Sequence, residues 1–339
     1  MSDYIVTRRG VMLGGLASGA LLVGLGGVAE AVPTAGPPII DCDGWGARPN
    51  SRIVQVVRAR PVKIIVHHTA TANVEDYGRG AAEQIARAIQ DFHMDRRGWI
   101  DSGQHFTISR GGFVLEGRRR SLEALRSGRK QVEGAHCTGQ NLVSIGIENE
   151  GTYTGTGPPG ILWDRLREMC AYVCSQYGIA PGEIFGHRDF KDTQCPGDIL
   201  NGLLPRLRVE VGDLLGLRVT VSSSLQGPSW PLLREGDRGP VVLAAQHLLR
   251  AAGAHDLTPD GEFGPAMAAA VRRFQVEHAT EEINGLIGGE SWPLLTRSPA
   301  SGDDEALRAV AALGDGGSAR VPSTADETVW RELLSRAAG

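Results

Sequence analysis

Short apolar runs and helical stripes alternate between residues 42 and 216 and predict a mixed α/β domain there. After Lys63, Ile64-Ile65-Val66 is an apolar, β-branched run, the pattern of a strand buried on both faces. Residues 80–97 carry Ile85, Ile89 and Phe92 at helical spacing, and Gly98 stops that helix. Residues 105–109 and 113–116 read as strands around Arg110-Gly111-Gly112, a hairpin signal. A further strand is predicted over 144–148. The run 162–177 is a helix with Leu166, Met169, Val173 and Tyr177 on one face and Gly178 as its stop. Residues 184–187 form a last short strand that leads into a loop.

A Ser- and Gly-bearing break within 217–229 separates this domain from a different module at 230–297. Pro240 opens a helix whose apolar face is Val242, Ala245, Leu248 and Leu249. Asp260-Gly261-Glu262-Phe263-Gly264 then turns into a helix carrying Val271 and Phe274. Asn284-Gly285-Leu286-Ile287-Gly288 repeats that turn before residues 291–295. Two copies of one turn before helices predict a small three-helix unit with internal symmetry. Residues 298–339 read as a flexible tail with a short helix near 329–334.

At the other end, Arg8-Arg9 precedes a Gly- and Ala-rich apolar run that finishes in Ala29-Glu30-Ala31. That order predicts a signal peptide over 1–31 for the twin-arginine route, with the general secretory route and a membrane anchor as alternatives. Residues 32–41 follow as a linker. The expected location is outside the cell or on its wall, with no membrane contact after cleavage.

Composition narrows the function classes. A net charge of −4 argues against a nucleic-acid partner. The 5 cysteines suit an exported protein. With Cys195 set aside for metal, Cys42, Cys137, Cys170 and Cys174 allow three pairings. Cys170 and Cys174 lie one helical turn apart, so each is expected to bridge to a different neighbouring segment, and four buried thiols are the alternative.

The chemistry gathers at strand ends. His67 ends the Ile64-Ile65-Val66 run, and His187 follows Ile184-Phe185-Gly186. Cys195 comes one loop later, in Gln194-Cys195-Pro196-Gly197. Two imidazoles and a thiolate suit zinc with one position left open.

The motifs also run in a characteristic order. Trp45-Gly46-Ala47-Arg48-Pro49 precedes Ile64-Ile65-Val66-His67-His68-Thr69-Ala70, and the 92–99 motif FHMDRRGW follows. The chain continues with GAHCTGQNLVSIGIE over 134–148 and GHRDFKDTQCPG over 186–197. From residue 42 to 212 the sequence resembles the type 2 N-acetylmuramoyl-L-alanine amidases, a family that includes peptidoglycan recognition proteins and phage amidases. Residues 230–296 resemble the small helical peptidoglycan-binding domain often appended to wall hydrolases. The whole is similar to exported actinobacterial amidases. The resemblance implies a mixed central sheet flanked by helices, one catalytic Zn2+ and peptidoglycan as partner; a monomer is expected, with the oligomeric state left open by the sequence.

Carried over by motif, the metal ligands are His67, His187 and Cys195, with His68 lining the cleft. The family's catalytic Tyr is replaced here by Gln104, which cannot act as a phenolic acid and is assigned to substrate. Recycling amidases of the same superfamily use the Glu of an S-I-G-I-E motif, present as Ser144-Ile145-Gly146-Ile147-Glu148. Glu148 is therefore expected to be the general base, with Glu150 next in line. Thr193 is expected to steady the oxyanion, or else to cap its loop. His136 and Asn141 match positions of the substrate groove. The implied reaction is hydrolysis of the amide between N-acetylmuramic acid and L-alanine. The competing readings are a recognition protein without turnover, and a stem-peptide zinc peptidase, which the absence of an H-E-x-x-H helix disfavours.

Overall fold

The computed structural model describes residues 36–217, 219, 230–297, 299, 303–314 and 327–338. Residues 1–31, with the expected signal peptide, lie outside the described residues, as does most of 217–229. Among the described residues no helix is long and apolar enough to cross a membrane.

The elements run β1 (Ile39–Ile40), β2 (Val56–Val57), β3 (Lys63–His68), α1 (Arg79–Asp91), β4 (Phe106–Ile108), β5 (Val114–Glu116), α2 (Ser121–Ser127), β6 (Gln131–Val132), β7 (Ser144–Asn149), α3 (Gly160–Tyr177), β8 (Ile184–Gly186), α4 (Asp198–Gly202) and α5 (Leu204–Leu214). The central sheet has the order β1-β5-β4-β7-β3-β8. Strands β4, β7, β3 and β8 run parallel, whereas β5 is antiparallel to β4 across the expected hairpin. The sheet is mixed, as the family resemblance implies.

Strand alternation decides what each face carries. Ile64, Val66, Ile145, Ile147, Phe106 and Ile108 join Leu162, Leu166, Met169 and Val173 of α3 in the main core. The alternate positions on β3 and β7 are Ile65, His67, Gly146 and Glu148. They face the other way, toward α1, so chemistry occupies the face that the core leaves free. The carboxyl ends of parallel strands form a natural crevice, and His67, Glu148 and His187 all lie at that end.

Several expectations are corrected. Residues 39–40, placed in a linker, are β1, because Ile39 and Ile40 pair with Val114 and Leu115. The helix over 80–97 is α1 followed by a π-helical turn, Phe92–Arg96, in which the helix widens beside the cleft. The four cysteines Cys42, Cys137, Cys170 and Cys174 are buried free thiols, not disulfides. Cys170 and Cys174 point from α3 into the core among apolar side chains.

The C-terminal module contains α6 (Pro240–Ala251), α7 (Pro265–Glu277) and α8 (Ser291–Arg297), the three expected helices. The expectation of a flexible tail over 298–339 is overturned at residues 304–312, whereas the short helix expected near 329–334 is present and longer than expected. Both α9 (Asp304–Ala312) and α10 (Glu327–Ala338) are helices, and Ala309, Val310, Trp330 and Leu334 complete the module's core. Trp330 is 1% exposed and its indole nitrogen has no hydrogen-bond partner, so its contribution is packing alone. Trp330→Ala is expected to destabilise the module by about 3–5 kcal/mol, measured by denaturant unfolding.

Candidate metal centre

His67 is the fifth residue of β3 and stands opposite Glu148 of β7 in the sheet register. On its other side, Val66 pairs with Gly186, so the chain leaves β8 directly into His187. The two imidazole rings lie 4.4 Å apart. The loop after β8 returns Cys195 to them, with its Sγ 3.7 Å from His67 Nδ1. Gly197 makes that return possible: its φ is +96°, and a Cβ there would overlap the Tyr153 backbone. The donor atoms of His67, His187 and Cys195 all lie within 4.8 Å of one another.

This donor set fits a metal ion of zinc's type. Bonds of about 2.0–2.3 Å around a tetrahedral ion put neighbouring donors about 3.3–3.6 Å apart, close to the His67–Cys195 spacing. Burial pushes His187 down to about 4 and His67 well below the usual imidazole range, so both rings are neutral near pH 7. Burial pushes the Cys195 thiol up. A buried thiolate needs a positive partner, and a cation between these three donors would supply it. The Cys195 sulfur also accepts from the backbone N–H of His68 at 3.3 Å.

Beside the three donors opens a cleft of ≈ 520 Å³, floored by Glu148 and walled by Ile85 and Ile89 of α1. Burial raises the Glu148 carboxyl to about 8. His68 also lines the cleft. Its Nδ1 accepts from Tyr153 N–H at 3.2 Å, so the neutral ring carries its proton on Nε2. Thr193 lines the cleft and its hydroxyl oxygen accepts from Cys195 N–H at 3.2 Å, which leaves the hydroxyl proton free to donate.

The remaining expectations divide. His136 reaches the cleft, but it leans on His67: its Nδ1 is 3.0 Å from His67 Nε2 and its Nε2 is 3.5 Å from Ser144 Oγ. The Ser144 hydroxyl in turn donates to Gln140 O at 2.8 Å. Gly146 has no side chain because the His136 ring occupies that space. Gln104 borders the cleft, and its amide donates to Thr107 Oγ1 at 2.8 Å while its own carbonyl oxygen is unpartnered. Asn141 does not line the cleft. Its Oδ1 accepts from His136 N and Cys137 N, both at 2.9 Å, so it braces the loop. Glu150 is also turned away, because β7 ends at Asn149 and the carboxylate accepts from Arg110 N at 2.7 Å.

Trp99 and Glu282 are among the cleft residues that escaped the sequence reading. Trp99 stacks on His93 with ring centroids 4.6 Å apart, and the pair forms part of the wall. The aromatic and imidazole six residues apart, across a glycine, were the available signal. Glu282 comes from the C-terminal module, and nothing in its local sequence marks it.

Comparison with known proteins agrees with the two-part organisation. Residues 58–198 match the family described as N-acetylmuramoyl-L-alanine amidase, and residues 238–292 match a peptidoglycan binding domain. The human protein named N-acetylmuramoyl-L-alanine amidase is 31% identical over 164 residues, covering 47% of this chain and 26% of its own. Peptidoglycan-recognition protein LB of Drosophila melanogaster is 31% identical over 154 residues, covering 45% and 61%. Peptidoglycan-recognition protein SC2 of the same fly is 32% identical over 170 residues, covering 50% and 84%. The chain thus spans only about a quarter of the human relative's length and about three fifths of the LB protein's.

Proposed function

Because the chain belongs to the family of N-acetylmuramoyl-L-alanine amidases and peptidoglycan recognition proteins, we propose that it hydrolyses the amide joining N-acetylmuramic acid to L-alanine in peptidoglycan. The observation that carries this reading is the convergence of His67, His187, Cys195 and Glu148 on one cleft. Zinc held by His67, His187 and Cys195 would supply Lewis acidity, polarising the scissile carbonyl and acidifying the attacking water.

This chain's own residues divide the rest of the work. Glu148 takes the proton from water as oxygen adds to the lactyl carbonyl, and returns it to the alanine nitrogen as the C–N bond breaks. Burial helps Glu148 hold the proton between the two halves, and a cation held by the three donors would favour the carboxylate that begins the exchange. Thr193 offers its hydroxyl proton to the developing oxyanion. His68, neutral and protonated on Nε2, adds a donor at the cleft edge. Residues 230–297 contact the wall, and residues 1–31 serve as the export signal that brings the enzyme to it.

The test is release of new L-alanine amino ends from purified peptidoglycan by the full chain, before and after EDTA, and after zinc is restored. Release that stops with EDTA and returns with zinc is the expected result. Wall binding without release would replace hydrolysis by recognition, the reading that the loss of the family's tyrosine at Gln104 favours.

A further inference from the structure

The loop that carries Thr193 and Cys195 is gripped from outside by the C-terminal module, and the grip centres on one carboxylate. Asp192 is fully buried. Its Oδ1 accepts from the backbone N–H groups of Gly288 (2.7 Å), Ser291 (3.0 Å) and Glu290 (3.3 Å). Its Oδ2 accepts from Ser291 Oγ at 2.5 Å and Gln275 Nε2 at 3.1 Å, and its backbone carbonyl accepts from Asn284 Nδ2 at 2.6 Å. All of these donors belong to the module.

Neighbouring contacts tighten the same junction. Lys191, also buried, pairs with Glu281 at 2.8 Å and Glu290 at 3.2 Å. Arg234 reaches Asp198, beyond Cys195, at 2.7 Å. Gly289 lets the two backbones meet, since a Cβ there would overlap the Asp189 carbonyl, and its N–H donates to Arg188 O at 3.1 Å. The loop 187–195, with two of the three metal donors, is therefore bonded to the module at Arg188, Lys191 and Asp192.

We propose that Asp192 is a positioning residue that makes the C-terminal module part of the metal centre's frame, rather than a tether on a free linker. A buried carboxylate stripped of five donors is strongly disfavoured, so loop and module hold each other in one arrangement. That arrangement fixes, through the intervening backbone, where Thr193 and Cys195 sit. It also brings Glu282 into the cleft wall. This proposal rests on the reading of His67, His187 and Cys195 as metal ligands.

The test uses the full chain loaded with cobalt(II), whose visible absorption reports the coordination of the thiolate. Two measurements run together: metal loss to excess EDTA, and amide exchange at Gly288–Ser291, which reports docking. The double variant Gln275→Leu with Ser291→Ala removes both Oδ2 donors, and Asp192→Ala removes the acceptor. Metal loss at least about tenfold faster, with an altered cobalt spectrum and faster amide exchange, is expected. Faster exchange at 288–291 with wild-type metal loss and spectrum would overturn the proposal, as would unchanged values of all three in Asp192→Ala. A wild-type chain that takes up no cobalt would instead overturn the metal-site reading, and this proposal with it.

Discussion

Replacing Glu148 by Gln is expected to slow release of L-alanine amino ends by about 10²–10⁴-fold, the usual share of a general base. Metal content and thermal stability should stay at wild-type values. Glutamine keeps the volume and polarity of the side chain but cannot take up and return a proton. Register places Glu148 opposite His67, and alternation turns it onto the same face of the sheet. Burial lifts its pKa to about 8, the range in which a carboxyl both accepts and releases a proton. Glu150 cannot substitute, because the Arg110 backbone already claims its carboxylate. A Gln variant that turns over near the wild-type rate would remove Glu148 from the chemistry.

Cys195→Ala is expected to abolish turnover by a different route, through loss of the metal. A zinc binding free energy of about 10–16 kcal/mol shared among the donors implies roughly 10²–10⁴-fold weaker binding when one of three protein donors is lost. Metal analysis of the purified variant, together with a chelator competition, measures this directly. Full metal content with no activity would mean that Cys195 serves the reaction in some other way. The two variants are therefore complementary, since Glu148→Gln separates activity from metal content and Cys195→Ala makes them fall together.

The cluster of His67, His187 and Cys195 was legible in the sequence because each residue is tied to a local signal. His67 and His187 end apolar strand runs, and Pro196 and Gly197 mark the turn that returns Cys195. Glu148 was legible only through the S-I-G-I-E motif of the family resemblance, and the alternation that buries Ile145 and Ile147 is what turns it toward the cleft. Asn141 and Glu150 were misplaced because spacing does not report which backbone amides a side chain will meet. The helix at 304–312 was missed although Ala306, Ala309 and Val310 form an apolar stripe at helical spacing. Its start was also signalled, since Asp303 caps it by accepting from Glu305 N and Ala306 N. Disulfides were over-read from cysteine number alone, whereas burial among aliphatic side chains explains Cys170 and Cys174 without a partner. Asp192 looked like any loop carboxylate, because all its partners lie more than 80 positions away in the chain.

One small arrangement beside the metal donors has a direction built into it. The Gln140 carbonyl has no proton to give, so the Ser144 hydroxyl must point toward it. The serine oxygen can then only receive from His136 Nε2, which leaves His136 Nδ1 bare and able only to receive from His67. His67 must therefore carry its hydrogen on Nε2, and its lone pair on Nδ1 faces the Cys195 sulfur. The choice of tautomer at His67 is thus made by a backbone oxygen three hydrogen bonds away, before any ion arrives.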